Sequence, residues 1–120
     1  MPANALPITR RALWLAAALL TGPLAAPASA EGYVMGAGTW ACGDVTQVAQ
    51  AGNDNEVGQL AGWIMGFWSS ATFTRETGFV DTVESVGGRG VFDATLAECA
   101  KAPPETLLHI VVQSMIRNTK

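Results

Sequence analysis

One uncharged stretch, GQLAGWIMGFWSSATF, most constrains what this chain can fold into. It contains two tryptophans and two phenylalanines, and no charged side chain occurs from Val57 to Thr74. Apolar residues recur there at steps of three and four positions, the period of one face of an α-helix. These residues are Val57, Leu60, Ala61, Ile64, Phe67, Trp68 and Ala71. The pattern therefore predicts a long central helix.

The sequence also predicts both ends of this helix and the character of the face that points away from Leu60. Asn53 is a good N-cap, and Glu56 three residues later completes a capping-box pattern. Gly78 is the expected C-terminal stop. Trp63 and Phe73 lie away from the Leu60 face, so the helix is apolar all round, and we expect either its neighbours to wrap it fully or a partner subunit to cover the remainder.

A transmembrane span is the alternative interpretation of the same stretch. A span needs about 20 apolar residues. The run from Val57 to Thr74 is shorter and includes one amide and four hydroxyl side chains. Gly58, Gly62, Gly66 and Ser70 form a stripe of small residues along it. In lipid this glycine stripe would favour helix pairing, and in a small soluble domain it would let another helix pack closely. We expect the central helix of a core, and no stable membrane insertion.

Residues 1–30 have the three parts of a secretory signal peptide. Arg10 and Arg11 precede the apolar run ALWLAAALL, and ASA ends the segment. This pattern predicts export and cleavage after Ala30. The segment TRRALW also resembles a twin-arginine signal, although the strong apolar run favours the general secretory route. The mature domain would be residues 31–120, located in the periplasm.

Cys42 and Cys99 are the only cysteines of the chain. An even cysteine number in an exported protein suggests one disulfide. By closing the loop between these two distant cysteines, the disulfide would stabilise the fold by up to about 4 kcal/mol. A metal-binding or catalytic cysteine pair is the alternative, but neither C-x-x-C spacing nor a nearby histidine supports it.

The rest of the chain predicts further helices and no strand. The fold class is therefore all-α, a small single-domain bundle of three to four main helices stapled by one disulfide. The expected helices besides the central one cover 44–50 with Asp44 as its cap, 79–86, 91–101 after a break at GGRG, and 105–118 with Pro104 in its first turn.

No pattern in the sequence predicts catalysis. His109 is the only histidine and lies one helical turn after Glu105, a common surface contact. Asp81 and Glu84 are better explained as a solvated helix face than as paired catalytic carboxylates. GGRG lacks the lysine and spacing of a phosphate-binding loop. We predict no enzyme activity, no metal and no cofactor.

Charge narrows the possible partners and suggests a response to acid. From residue 31 onwards the chain has ten acidic and five basic side chains, a net charge of −5 near neutral pH. This balance argues against nucleic acid and anionic lipid as partners. Full protonation of the carboxylates and of His109 would give +6, and carboxyl groups ordinarily titrate near pH ~4. A marginal core could then loosen in acid.

These features together resemble the HdeA/HdeB family of periplasmic acid-stress chaperones. The resemblance rests on the GWIMGF helix between two distant cysteines and on the segment AKAPPETLLHIVVQSM after the second. It covers residues 42–116. The matching positions are Cys42, Trp63, Gly66, Phe67, Cys99, Pro103 and the apolar stripe from Leu107 to Ile116. The low charge content, the glycine-rich arm 31–43 and GGRG depart from the family pattern.

The resemblance implies a small helical protein that is a homodimer at neutral pH. In acid it would dissociate, loosen with its disulfide intact, and hold unfolded periplasmic proteins without ATP. The expected client- or partner-binding residues are Leu60, Trp63, Ile64, Phe67, Trp68, Leu108 and Val112. The alternative is a small periplasmic binding or inhibitor protein of the immunity type, which would use the scaffold as a rigid interface and have no chaperone activity.

Overall fold

Four α-helices build the part of the chain that the structure, a computed structural model, describes, residues 32–120. They are preceded by a short 3-10 turn, Gly36–Thr39. The helices are α1 (Cys42–Ala51), α2 (Asp54–Thr72), α3 (Thr77–Lys101) and α4 (Leu108–Asn118). No strand occurs among the described residues, so the predicted all-α class is confirmed. The predicted signal peptide, 1–30, lies outside them.

Helix α1 begins two residues earlier than predicted and is not capped by Asp44. Ala41 is its N-cap residue and offers no side-chain hydrogen bond. Instead, the backbone N–H groups of Cys42 and Gly43 donate to the carbonyl oxygens of Thr106 (2.7 Å) and Pro104 (2.9 Å). Two of the free N–H groups of the first turn are therefore satisfied by a segment distant in sequence, which local capping rules cannot foresee.

Helix α2 confirms the predicted central helix and its N-cap. Oδ1 of Asn53 accepts hydrogen bonds from the backbone N–H groups of Asn55 (3.1 Å) and Glu56 (3.2 Å). Of the predicted apolar face, Leu60, Ile64 and Trp68 are buried. The period-3.6 pattern thus identified the face that enters the core.

The predicted end of α2 at Gly78 is wrong. The helix ends at Thr72, and Gly78 lies in the first turn of α3. Before that end, the hydroxyls of Ser70 and Thr72 donate to the carbonyl oxygens three residues earlier. Hydroxyl groups that bond to nearby backbone compete with regular helix, and here three of them, with that of Thr74, cluster where the helix stops.

Helix α3 contains both predicted helices, 79–86 and 91–101, joined at a kink. Only Gly87 leaves helical geometry, with φ 75° and ψ 169°. Side chains disfavour this conformation, so glycine is the residue that permits the bend. The break is therefore narrower than the predicted GGRG, because residues 88–90 already belong to the second half of the helix.

Helix α4 begins at Leu108, so the predicted start at residue 105 with Pro104 in the first turn is wrong. Leu107 instead forms an antiparallel bridge with Ala41, and the N–H of Leu108 donates to the carbonyl of Trp40 at 2.9 Å. Pairing with the residues before α1 keeps this segment extended and delays the helix.

The apolar stripe of α4 is narrower than predicted. Leu108, Val112 and Ile116, one turn apart, are buried. Val111 and Met115 are half-buried, and Leu107 is exposed. Three residues at i, i+4 and i+8 therefore form the surface by which α4 packs on the core.

The predicted disulfide is present and buried. Cys42 in the first turn of α1 bonds to Cys99 in the last turn of α3, with Cα atoms 5.1 Å apart. Next to it in the core, Nε1 of Trp68 donates to Oγ1 of Thr95 (3.3 Å), whose hydroxyl donates to the carbonyl of Val91 (2.8 Å). The one buried polar side chain among the described residues is thus satisfied.

Candidate functional site

The seven residues expected to bind clients or a partner divide into two groups. Five of them are 0–5% exposed and form one core cluster: Leu60, Ile64, Trp68, Leu108 and Val112. The other two, Trp63 and Phe67, are half-buried and pack on the edge of this cluster. The structure therefore brings the α2 and α4 residues together, but it places them inside the folded domain and not on its surface.

Trp63 is covered in part by its own chain. Gly38 of the 3-10 turn lies so close to the indole that a Cβ there would clash with Cζ2 and Cε2 of Trp63. On its other side, the indole stacks on Phe67 with ring centroids 4.9 Å apart. The predicted irregular arm before Cys42 thus closes over one end of α2, and this contact lowers the apolar area that a partner would have to cover.

The arm leaves an open apolar groove beside these rings. The groove has a volume of about 410 Å³ and lies between α2 and the arm. Tyr33 and Met35, 88% and 70% exposed, form its outer wall, while Trp63 and Phe67 form its floor. The sequence analysis did not single out Tyr33 or Met35; two large apolar residues in a glycine-rich arm were the available signal.

The face of α2 opposite the buried residues Leu60, Ile64 and Trp68 has no neighbour in the described part of the chain. Nothing lies within 4 Å of the positions that Cβ atoms would take at Gly58, Gly62 and Gly66. Phe73, at the end of the same helix, is 87% exposed. The glycine stripe expected to receive another helix therefore faces open space in the single chain.

The side chain of Arg75, between α2 and α3, binds the C-terminal end of α4. The guanidinium of Arg75 donates to the carbonyl oxygens of Ile116 (2.8 Å) and Thr119 (2.9 Å). It also lies over the ring of Phe79, 4.2 Å from the centroid. Sequence analysis missed this role, although Arg75 is the only basic residue between positions 31 and 88.

Arg75 forms an ion pair with the residue that follows it. Its Nε and one terminal nitrogen each donate to a carboxylate oxygen of Glu76 at 3.0 Å. These hydrogen bonds, and secondarily one from the backbone N–H of Glu76, lower the pKa of Glu76 from 4.5 to about 2. The same pairing raises the pKa of Arg75. The carboxylate therefore stays charged in acid longer than an ordinary glutamate does.

The remaining ionisable groups show no catalytic arrangement within residues 32–120. The amide nitrogen of Gln113 lies 3.2 Å from Nδ1 of His109. Glu105 precedes α4, so it does not lie one helical turn before His109 as expected. Asp81 and Glu84 are exposed. No three histidine, cysteine or acidic side chains of the described region lie close enough together to hold a metal ion.

The apolar content of the helices and the comparisons with known proteins also bear on function. Among the helices of the described region, none has both the length and the apolar content required to cross a bilayer. Compared with protein-family models, curated proteins and solved structures, the chain has no match. A proposal of function must therefore rest on its own geometry and charge.

Proposed function

We propose that this protein is an exported acid-stress chaperone that binds denaturing proteins in the periplasm without ATP. One observation carries the proposal: the apolar residues of α2 and α4 are sealed together in a single core. Leu60, Ile64 and Trp68 of α2 share this core with Leu108 and Val112 of α4. The surface that clients would use is hidden at neutral pH and becomes available when the helices separate.

The charge balance supports opening in acid. Residues 31–120 carry −5 near neutral pH and reach +6 when the carboxylates and His109 are protonated. The titration of ordinary carboxyl groups places this change near pH ~4. Near neutral pH the −5 is a balance of ten negative and five positive side chains, whereas after protonation every charged side chain is positive and no attraction offsets the repulsion. A domain of this size has a small margin of stability with which to resist it.

The disulfide supports loosening over complete unfolding. Cys42 and Cys99 are each 1% exposed, so α1 and the end of α3 remain joined when the core opens. The cross-link restricts the opened ensemble. Refolding on neutralisation is therefore expected to be fast, and the protein can release its clients.

We also propose a homodimer near neutral pH. The face of α2 that contains Gly62, Gly66 and Phe73 is uncharged, exposed and without a neighbour in the single chain. A second copy packed there would cover the apolar surface that the domain itself leaves open. Dissociation in acid would then add this face to the surface offered to clients.

A rigid binding protein is the second candidate function. The groove between Met35 and Trp63 favours it, because this groove is open in the folded domain and needs no acid. An inhibitor-type protein would insert an apolar side chain of its target there. Such a protein would be expected to keep its fold unchanged down to the pH at which it binds.

An acid aggregation assay separates these two functions. The protein is mixed at equimolar ratio with an acid-labile enzyme, brought to pH 2.5, and followed by light scattering and by recovered activity after neutralisation. Circular dichroism and a hydrophobic dye are recorded in parallel from pH 7 to 2. We expect suppressed scattering, increased dye binding near pH 3 and an intact disulfide. Undiminished scattering would contradict the chaperone proposal and leave the binding protein as the preferred function.

A further inference from the structure

Helix α4 is attached to the domain differently from the other three helices. The disulfide closes a loop from Cys42 to Cys99 that contains α1, α2 and α3. Helix α4 begins at Leu108, outside this loop, so no covalent cross-link limits its departure. If one helix leaves while the disulfide stays intact, α4 is the one that the covalent structure frees.

The two ends of α4 are held by different kinds of contact. At its start, backbone hydrogen bonds join residues 104–108 to Trp40, Cys42 and Gly43 beside the disulfide. At its end, Arg75 donates to two carbonyl oxygens. The hydroxyl of Thr82 lies 3.1 Å from the carbonyl oxygen of Lys120 and shares its proton between that oxygen and the carbonyl oxygen of Gly78, at 2.9 Å. The first end is fixed close to the cross-link, whereas the second depends on two side chains. This asymmetry favours opening from the C-terminal end.

Two cavities open to solvent lie beside α4. One of about 160 Å³ is lined by Met115, Trp68 and Val91, and a wider one of about 330 Å³ is lined by Ile110 and Glu98. The side chains that line such a cavity lack partner atoms on one side. The contact between α4 and α3 is therefore bordered by solvent at these two places.

Acid reverses the sign of the interaction between α4 and the remainder of the domain. Residues 106–120 contain Arg117, Lys120 and His109 but no acidic side chain, whereas residues 31–105 have ten acidic and three basic ones. Near neutral pH the side-chain charges are +2 and −7. At pH 3 Glu76, whose pKa is about 2, keeps its charge. With the other carboxylates protonated and His109 charged, the two side-chain charges are +3 and +2. An attraction thus becomes a repulsion.

The ionisable groups next to α4 follow this trend. Glu98 and Lys101 of α3 line the wider cavity as an ion pair at 3.2 Å, and Glu105 precedes the helix. Arg75 and Glu76 lie at its C-terminal end. The 3-10 turn has no ionisable side chain, and α2 has only Asp54 and Glu56 near its start. Protonation of the carboxylates other than Glu76 removes negative charge and leaves the cations in place, whereas Glu76 keeps its charge at pH 3 because its pKa is about 2.

The core surface that receives Leu108, Val112 and Ile116 is called the α4 groove. We propose that clients bind in the α4 groove, that α4 occupies it in the folded domain, and that acid exchanges α4 for acidic amphipathic helical segments of clients. This inference rests on the chaperone function proposed above. The groove is shaped for apolar residues at i, i+4 and i+8, since Leu108, Val112 and Ile116 fill it in the folded domain. A client segment with the same spacing fits the same surface.

Charge selects which helical segments enter. At neutral pH the net charge of −7 on residues 31–105 repels a segment whose polar face carries aspartate and glutamate, while it attracts α4. In acid such a segment becomes neutral, whereas α4 becomes more positive and is repelled. A basic client segment is repelled in acid as α4 is. The groove is therefore expected to prefer helices poor in lysine, arginine and histidine.

Three labelled peptides test the exchange by fluorescence anisotropy against the purified protein at pH 7 and pH 3. The first has the sequence of residues 106–120. The second carries His109→Glu, Arg117→Glu and Lys120→Glu. The third adds Leu108→Ser, Val112→Ser and Ile116→Ser to the second. We expect the second peptide to bind at pH 3 at least tenfold more tightly than either other peptide, and not to bind at pH 7. Equal binding of the second and third peptides would overturn the proposal, and so would equal binding of the first and second.

Hydrogen exchange of the full chain at pH 3 tests the departure of α4 itself. We expect α4 amides to lose protection before those of α2, and to lose it sooner in Arg75→Gln than in Arg89→Gln, which breaks only the exposed Arg89–Asp93 pair. Simultaneous loss of protection in α2 and α4 would contradict the exchange.

The outcomes distinguish the two proposals. If the protein suppresses aggregation and the second peptide does not compete with the client, the α4 exchange is contradicted and the chaperone proposal stands. If the second peptide binds but the protein does not suppress aggregation, the chaperone proposal is contradicted and the peptide-binding groove stands.

Discussion

Gly38 lies against the indole of Trp63 at a distance that leaves no room for a methyl group. The contact closes the 3-10 turn over α2, and a Cβ at this position would overlap both Cζ2 and Cε2 of the ring. Gly38 itself is buried, so the turn cannot move aside without opening the core edge. The pair links a glycine-rich arm, which looks irregular in sequence, to the packing of the central helix.

Gly38→Ala is expected to destabilise the domain by about 1–3 kcal/mol, the usual cost of overpacking. Gly78→Ala is the matched control, because the same methyl group enters open space in α3 and lies outside the proposed dimer face. It is expected to stabilise by about 0.5–1 kcal/mol. Thermal unfolding followed by circular dichroism measures both, at about 4–8 °C per kcal/mol for a domain of this size. Equal melting temperatures for the two variants would show that the Gly38 contact does not constrain the fold.

The buried disulfide should dominate the stability of the fold. Replacing Cys42 and Cys99 by serine is expected to lower the free energy of unfolding by up to about 4 kcal/mol, because the unfolded chain regains the entropy of a long open loop. Urea unfolding measures the change. Intact mass before and after alkylation of freshly isolated protein checks the bond itself, and two reactive thiols would contradict it.

The predicted dimer is best tested away from Trp63. Trp63→Glu would disturb the packing on Gly38 and Phe67, so dissociation and unfolding would be confounded. Gly66→Glu places a charge on the exposed face of α2 without an internal clash.

Sedimentation at tens of micromolar, on the order of weak dimer affinities, is expected to show a dimeric wild type and a monomeric Gly66→Glu. Ala97→Glu, on the exposed face of α3, is the control and should remain dimeric. A monomeric wild type would end the dimer proposal.

Local patterns in the sequence were sufficient to predict the features of the fold that depend on residues close together in the chain. The buried face of α2 follows from its period, its start follows from Asn53, and the kink at Gly87 follows from a glycine cluster. The same period placed Leu60 and Leu108 on buried faces. These features need only hydrophobic burial and backbone conformational preference.

Contacts between distant segments were not predictable in the same way. The late start of α4 depends on Leu107 pairing with Ala41, and the covering of Trp63 depends on Gly38. Arg75 reaches Ile116 across 41 positions. The sequence pattern identified which residues are apolar, but it could not show that those of α2 and α4 would be enclosed together instead of exposed.

The last prediction concerns pH and the carboxylate of Glu76. Hydrogen bonds from Arg75 hold its folded pKa at about 2, below the 4.5 of an unperturbed glutamate. A depressed folded pKa means that the contribution to stability is fully present above pH 4.5 and is lost as the pH falls towards 2. Glu76→Gln removes this contribution. The variant should therefore be less stable than wild type at neutral pH, and the difference should shrink as the pH approaches 2.

Urea midpoints at pH 7, 4.5, 3 and 2 measure this difference. Asp93→Asn is the control, because it breaks the exposed pair with Arg89 but leaves the end of α4 untouched. Arg75 keeps its own hydrogen bonds to Ile116 and Thr119 in Glu76→Gln, so the fold is expected to survive. A difference that grows as the pH falls would have the wrong sign for a depressed pKa. Such a result would remove Glu76 from the groups that tie the stability of α4 to acid.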